Sequence, residues 1–150
     1  MPVQHLFKYL RQNRPAAGTR PLTGRWTGLY HYPSYEMPVP FSVHFSQAGS
    51  AITGESIEPN TFIELDIEEL PADWTGHCDG ADVQLFKTYC DVEGADHTVI
   101  YNGKIEQGGD VILGRWSVTR FGDDNRSGFF EMRRGQWRQF WDTEVVANEP

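Results

Sequence analysis

Cysteine is nearly missing from this chain: only Cys78 and Cys90 occur. Two cysteines make no disulfide scaffold. With a turn near Asp79-Gly80-Ala81-Asp82, Cys78 lies beside the turn and Cys90 far along the next strand. They would not face each other, so free thiols in a reducing compartment are expected. Long apolar runs are also missing. Lys8, Arg11 and Arg14 interrupt any N-terminal stretch of signal-peptide length, and no run approaches a membrane span. A soluble, cytoplasmic protein without a membrane partner is the expectation. Positive charge is scarce: 13 Lys and Arg stand against 21 Asp and Glu, for a net charge of −8. Residues 1–23 hold Lys8, Arg11, Arg14 and Arg20 and no acid, so the remainder is more acidic still. Such a body argues against nucleic acid as a main partner.

Recognisable catalytic and metal motifs are absent as well. There is no Gly-x-Ser-x-Gly elbow and no phosphate-cradling glycine loop, and no cofactor is implied. His31, His44, His77 and His97 are scattered without metal-ligand spacing. His31 and His44 fall on outward rows of neighbouring strands, where they could approach each other, but no carboxylate or thiolate completes a site. His77-Cys78-Asp79 cannot converge on a strand, because neighbours alternate faces. Asp123-Asp124-Asn125-Arg126-Ser127-Gly128 has oxygen ligands at alternate positions, as calcium loops do, but no closing glutamate. No metal is expected.

Aromatics and glycine are plentiful: 13% of the chain is Phe, Trp or Tyr, and 15 glycines and 9 prolines are spread along it. The length of 150 residues fits one domain with a real core. Val3, Leu6, Phe7 and Leu10 have helical spacing. They predict a short helix in a basic N-terminal arm, residues 1–23. Strands are predicted over 24–32, 40–46, 51–57, 72–78, 82–89, 98–104, 111–118 and 127–134, mostly on alternation and turn residues. Residues 58–72 read equally as a fraying strand or a lid. A C-terminal extension, 135–150, carries Trp137 and Trp141 four apart, on one face of a helical turn. Eight short strands with no crossover helix predict an all-β, antiparallel up-and-down barrel over residues 24–134. A two-sheet sandwich is the alternative.

The first strand, Gly24-Arg25-Trp26-Thr27-Gly28-Leu29-Tyr30, resembles the Gly-x-Trp signature of the calycins. This is the barrel superfamily of lipocalins, fatty-acid-binding proteins and avidins. The wider pattern adds Ile52-Thr53-Gly54-Glu55, Phe86-Lys87-Thr88-Tyr89, Tyr101-Asn102-Gly103, Gly114-Arg115-Trp116 and Ser127-Gly128-Phe129-Phe130-Glu131-Met132-Arg133. It is similar to a group of small bacterial proteins without an assigned function. The resemblance implies a lipocalin-like barrel in which Trp26 closes one end and Arg134, or Arg133, packs across it. Secreted lipocalins carry a signal peptide and paired cysteines, which this chain does not match.

With the Trp26 row inward, the candidate interior also holds Tyr30, Tyr32, Phe41, Val43, Phe45, Val83, Leu85, Lys87, Tyr89, Val99, Tyr101, Ile112, Trp116, Phe130, Met132 and Arg134. Lys87 is the odd member, because a buried ammonium needs a partner. Three readings compete: a structural pair with an acid such as Glu55, a head reaching solvent at the barrel mouth, or a contact to a ligand anion. A bulge would reverse the phase and turn Lys87 outward. Tyr30, Tyr32, Lys87, Tyr89, Tyr101 and Trp116 are the candidate ligand-binding residues. The leading functional reading is a barrel that binds a small hydrophobic or amphipathic molecule, one with an anionic group near Lys87 or Arg134 included. The alternatives are an enzyme (isomerase, cyclase or hydrolase) using a cavity tyrosine or Lys87, and a filled barrel acting as a protein-interaction module.

Overall fold

The computed structural model describes residues 20–33, 37–61, 66–90, 97–118 and 126–135. Eight strands run β1 (Gly24–His31), β2 (Val39–Ala48), β3 (Ala51–Pro59), β4 (Glu69–Asp79), β5 (Asp82–Tyr89), β6 (Thr98–Glu106), β7 (Val111–Val118) and β8 (Arg126–Arg134). Each pairs antiparallel with the next, and β8 returns to β1 in a closed barrel. Closure decides against the sandwich, and it leaves no sheet edge. The predicted N-terminal helix, the Trp137–Trp141 turn and the first half of the calcium-like loop, residues 123–125, lie outside the described residues.

Alternation sets the wall. The inward row of β1 is Trp26, Gly28 and Tyr30, and that of β2 is Val39, Phe41, Val43 and Phe45, all buried. Outward positions such as Arg25, His44, Glu55, Asp73 and His77 are exposed. Small inward residues make room for large ones. Gly28 pairs with Phe41 across β1 and β2, and a Cβ at Gly28 would lie 2.2 Å from Phe41 Cζ. In the same way Gly54 faces Trp74, Gly114 faces Phe130, and Gly128 faces Trp116. Two hairpins close tightly at Gly49-Ser50 and Gly80-Ala81, where each glycine holds φ of 62°. The β6–β7 connection is a 3-10 turn, Gln107–Gly109.

The strand predictions hold with shifted ends, and one shift matters. β3 runs through Glu58 to Pro59, and β4 begins at Glu69. Residues 58–72 are therefore strand at both margins; residues 62–65 between them are not described. Gly54 stays in register opposite Phe45 and Trp74.

One end of the barrel is sealed. The Arg134 guanidinium lies 4.7 Å from the Trp26 ring. It donates to the carbonyls of Pro21, Thr23 and Gly109 and to Asp110. Trp26 Nε1 donates to Leu22 O at 2.8 Å, and Leu22 is itself buried. Arg134, rather than Arg133, makes the closure that the calycin resemblance implied. Burial, then the nearby Arg20, hold the Arg134 pKa below its ordinary value, against the pull of Asp110. The connections β1–β2, β3–β4, β5–β6 and β7–β8 all leave from the opposite end.

Candidate functional site

The interior polar groups gather toward that opposite end. Lys87 sits on β5 after Val83 and Leu85, in phase with both, and its side chain is 1% exposed. The unbulged β4–β5 ladder keeps Lys87 opposite Trp74 and fixes its face as inward. Its ammonium donates to Glu58 Oε1 at 2.7 Å. Glu58 is the last inward residue of β3, in line with Ile52, Gly54 and Ser56, and its side chain has no exposure. The pair spans the barrel from β5 to β3. The other Glu58 oxygen accepts from two phenols, Tyr30 at 2.8 Å and Tyr89 at 3.1 Å. One carboxylate thus takes three donors from β1 and β5. Below it, Trp74 Nε1 donates to Ser56 Oγ at 2.7 Å.

Rings enclose the ammonium. Lys87 Nζ lies 4.9 Å from the Tyr30 centroid, 4.8 Å from Tyr89, 5.4 Å from Tyr101, 5.7 Å from Trp74 and 5.9 Å from Phe41. Such faces attract a cation. Desolvation alone would lower the Lys87 pKa; Glu58, aided by Tyr89, outweighs it and raises the pKa. Burial first, then Glu58, push the Tyr30 phenol up. Tyr89 is also raised, by burial and Glu58 against the opposing charge of Lys87. Lys87 is therefore a cation and these phenols are donors. No member of the cluster offers a neutral amine or a phenolate at neutral pH.

Tyr101 is different. It is 1% exposed, with its ring packed on Trp74 at 4.8 Å and Phe130 at 4.9 Å. Its ring lies 5.4 Å from the Lys87 ammonium, and burial, Glu58 and then Tyr32 push its pKa well up. Among the described residues no hydrogen bond reaches that hydroxyl. Tyr32 follows β1 and is half-buried, its ring edge-on to Tyr30 at 5.7 Å and to Trp116 at 5.4 Å. Trp116 uses its N–H on His31 O at 3.0 Å, which leaves it an apolar wall.

All six candidate ligand-binding residues therefore belong to one end of one interior. Glu58, Trp74 and Ser56 were missed. Expected pairing with Glu55 is corrected to Glu58, because Glu55 alternates outward. His31 and His44 stand apart. His44 pairs with Arg25, whereas His31 is beyond the β1–β2 ladder and meets Glu131 at 3.5 Å. Among the described residues no group of His, Cys, Asp or Glu could hold a metal. No described helix is long and apolar enough to cross a membrane. Cys78 and Cys90 are free thiols.

A concavity of about 500 Å³ lies on the outer wall over β6, β7 and β8, around Leu113 and Phe129. Arg115 stacks on the exposed Phe129 ring at 4.6 Å.

No family model, curated protein or solved structure matches this chain.

Proposed function

We propose that this protein is a lipocalin-like binder of a small, largely apolar organic molecule, held at the end of the barrel where Tyr32 and Trp116 stand above the Glu58 cluster. The observation that carries this reading is the placing of an ion pair and four phenols at one end of a barrel whose other end is filled and sealed. A purely structural core gains little from such a cluster. Desolvating two charges offsets most of their attraction, and well-packed apolar residues of similar volume do as well or better. Buried, mutually perturbed ionisable groups are a recurrent mark of functional sites. The cluster suits binding better than acid–base catalysis. Glu58 already accepts three hydrogen bonds, and Lys87 and the two phenols bonded to Glu58 keep their protons.

The test is a titration with N-phenylnaphthylamine, a neutral dye that brightens on leaving water. Saturable binding is expected. Loss of one ring contact, worth about 0.5–1.5 kcal/mol, makes Tyr32→Ala weaken it roughly two- to tenfold. Binding that ignores Tyr32→Ala but falls with Phe129→Ala would place the dye in the outer groove and overturn the reading. So would no saturable binding at all.

A further inference from the structure

Resting on that reading, we infer that the ligand presents an uncharged hydrogen-bond acceptor, such as an amide or ketone oxygen, to the hydroxyls of Tyr101 and Tyr32. The four phenols at this end divide into two pairs. Tyr30 and Tyr89 give their hydrogens to Glu58. Tyr101 and Tyr32 have no hydrogen-bond partner among the described residues. Among the described residues Asp79 Oδ1 is the one side-chain polar atom that is both buried and without a partner; the Tyr101 hydroxyl therefore keeps accessible surface, and its donor is open to an acceptor. Glu58 is taken.

Charge narrows the acceptor. Lys87 and Glu58 neutralise each other at 2.7 Å, and the remaining polar groups are phenols. An anion would find no unpaired cation in the cluster. It would also approach through a negative field. The described acids at this end, Asp66, Glu68 and Glu69, are exposed. Their field repels anions at a distance. A cationic ligand meets the opposite obstacle. The ring faces that would hold it already surround the Lys87 ammonium, five of them within 6 Å. An uncharged oxygen is left.

Three probes of one size separate these cases: benzamide, benzoate and benzylammonium, titrated calorimetrically at neutral pH in low and high salt. Benzamide should bind at least tenfold more tightly than either ion. Benzoate should gain as salt screens the rim. Tyr101→Phe keeps the ring packing and should weaken benzamide about tenfold, one hydrogen bond's worth, while leaving the unfolding midpoint unlowered. Tyr32→Phe, at a half-buried position, should act the same way and serves if Tyr101→Phe folds poorly. Tighter binding of benzoate or benzylammonium would overturn the inference. So would benzamide binding indifferent to both variants. If the dye binds and benzamide does not, the head-group inference falls and the binding reading stands. If neither binds, both fall.

Discussion

Glu58→Gln is the most informative single change in this barrel. It preserves shape and removes one charge. Lys87 then lies 1% exposed with its counter-ion gone. The substituted amide offers one carbonyl where Glu58 used two oxygens for three donors. Removing one partner of a buried pair typically loses about 3–5 kcal/mol. With a urea slope of about 2 kcal/mol per molar, the midpoint falls by roughly 2 M. Trp26 and Trp74 are buried in the core, so tryptophan emission follows the transition. The double variant Glu58→Leu/Lys87→Met removes both charges and takes the Glu58 acceptor away from Tyr30 and Tyr89. It should be more stable than Glu58→Gln, although it carries one more substitution.

The pH dependence supplies a second, independent sign. In the wild type the Lys87 pKa is raised. Its contribution is full below the unfolded value, about 10.4, and is lost as pH rises through the folded value. In Glu58→Gln, desolvation acts unopposed and depresses that pKa. Between the depressed value and about 10.4 the unfolded chain then binds more protons, so stability rises with pH. Between neutrality and about pH 9.5 the wild-type profile should be flat while that of Glu58→Gln rises, ahead of ordinary tyrosine ionisation near 10. A Glu58→Gln midpoint within the error of wild type, with parallel pH profiles, would refute a buried Lys87–Glu58 pair.

Two further outcomes follow from the packing. Tyr30, Tyr89 and Tyr101 all have raised pKa values, so three of the 6 tyrosines should stay protonated in the folded barrel. Phenolate absorbance should therefore rise in two stages, the second coinciding with alkaline unfolding. The sign is that of a raised pKa: stability is present below about pH 10 and lost above it. Gly28→Ala drives a Cβ to 2.2 Å from Phe41 Cζ, and should destabilise by about 1–3 kcal/mol through overpacking, against little change for Ala at the exposed Ser46; equal midpoints for the two in a thermal melt would contradict the close approach.

Most of the wall was legible because period two is a strong signal where aromatics alternate with polar residues. Phe41, Val43 and Phe45 declare their face, and so do Val83, Leu85 and Lys87. The floor was legible through Trp26 and Arg134. The third and fourth strands were not. Their inward rows mix Gly54, Ser56, Glu58, Leu70, Ala72 and Trp74, a sequence of small, polar and large residues with no apolar run to follow. Glu58 thus fell at the margin of a segment, 58–72, that read equally as a fraying strand or a lid. Its signal was indirect: Lys87 required an inward carboxylate, and continuing the Ile52, Gly54, Ser56 row by two residues reaches one. The unpaired Tyr101 hydroxyl had no sequence signal, because it depends on which phenols reach Glu58 first.

The Lys87–Glu58 pair admits two jobs, and the double variant separates them. One is register. A one-residue slip of β3 would turn Glu58 outward and leave Lys87 buried alone, so the pair penalises that misalignment heavily. The other is orientation. Glu58 holds the Tyr30 and Tyr89 hydroxyls on its own oxygen, which keeps them off Tyr101 and leaves that donor for a ligand. If register is the job, Glu58→Leu/Lys87→Met retains cooperative unfolding but gives broadened or doubled amide resonances along β3 and β4. If orientation is the job, those resonances stay sharp and single. Benzamide binding still falls, because Tyr30 and Tyr89, freed of the carboxylate, compete for the hydrogen bond that Tyr101 would give. The two results differ in where the spectrum changes, and stability alone would not distinguish them.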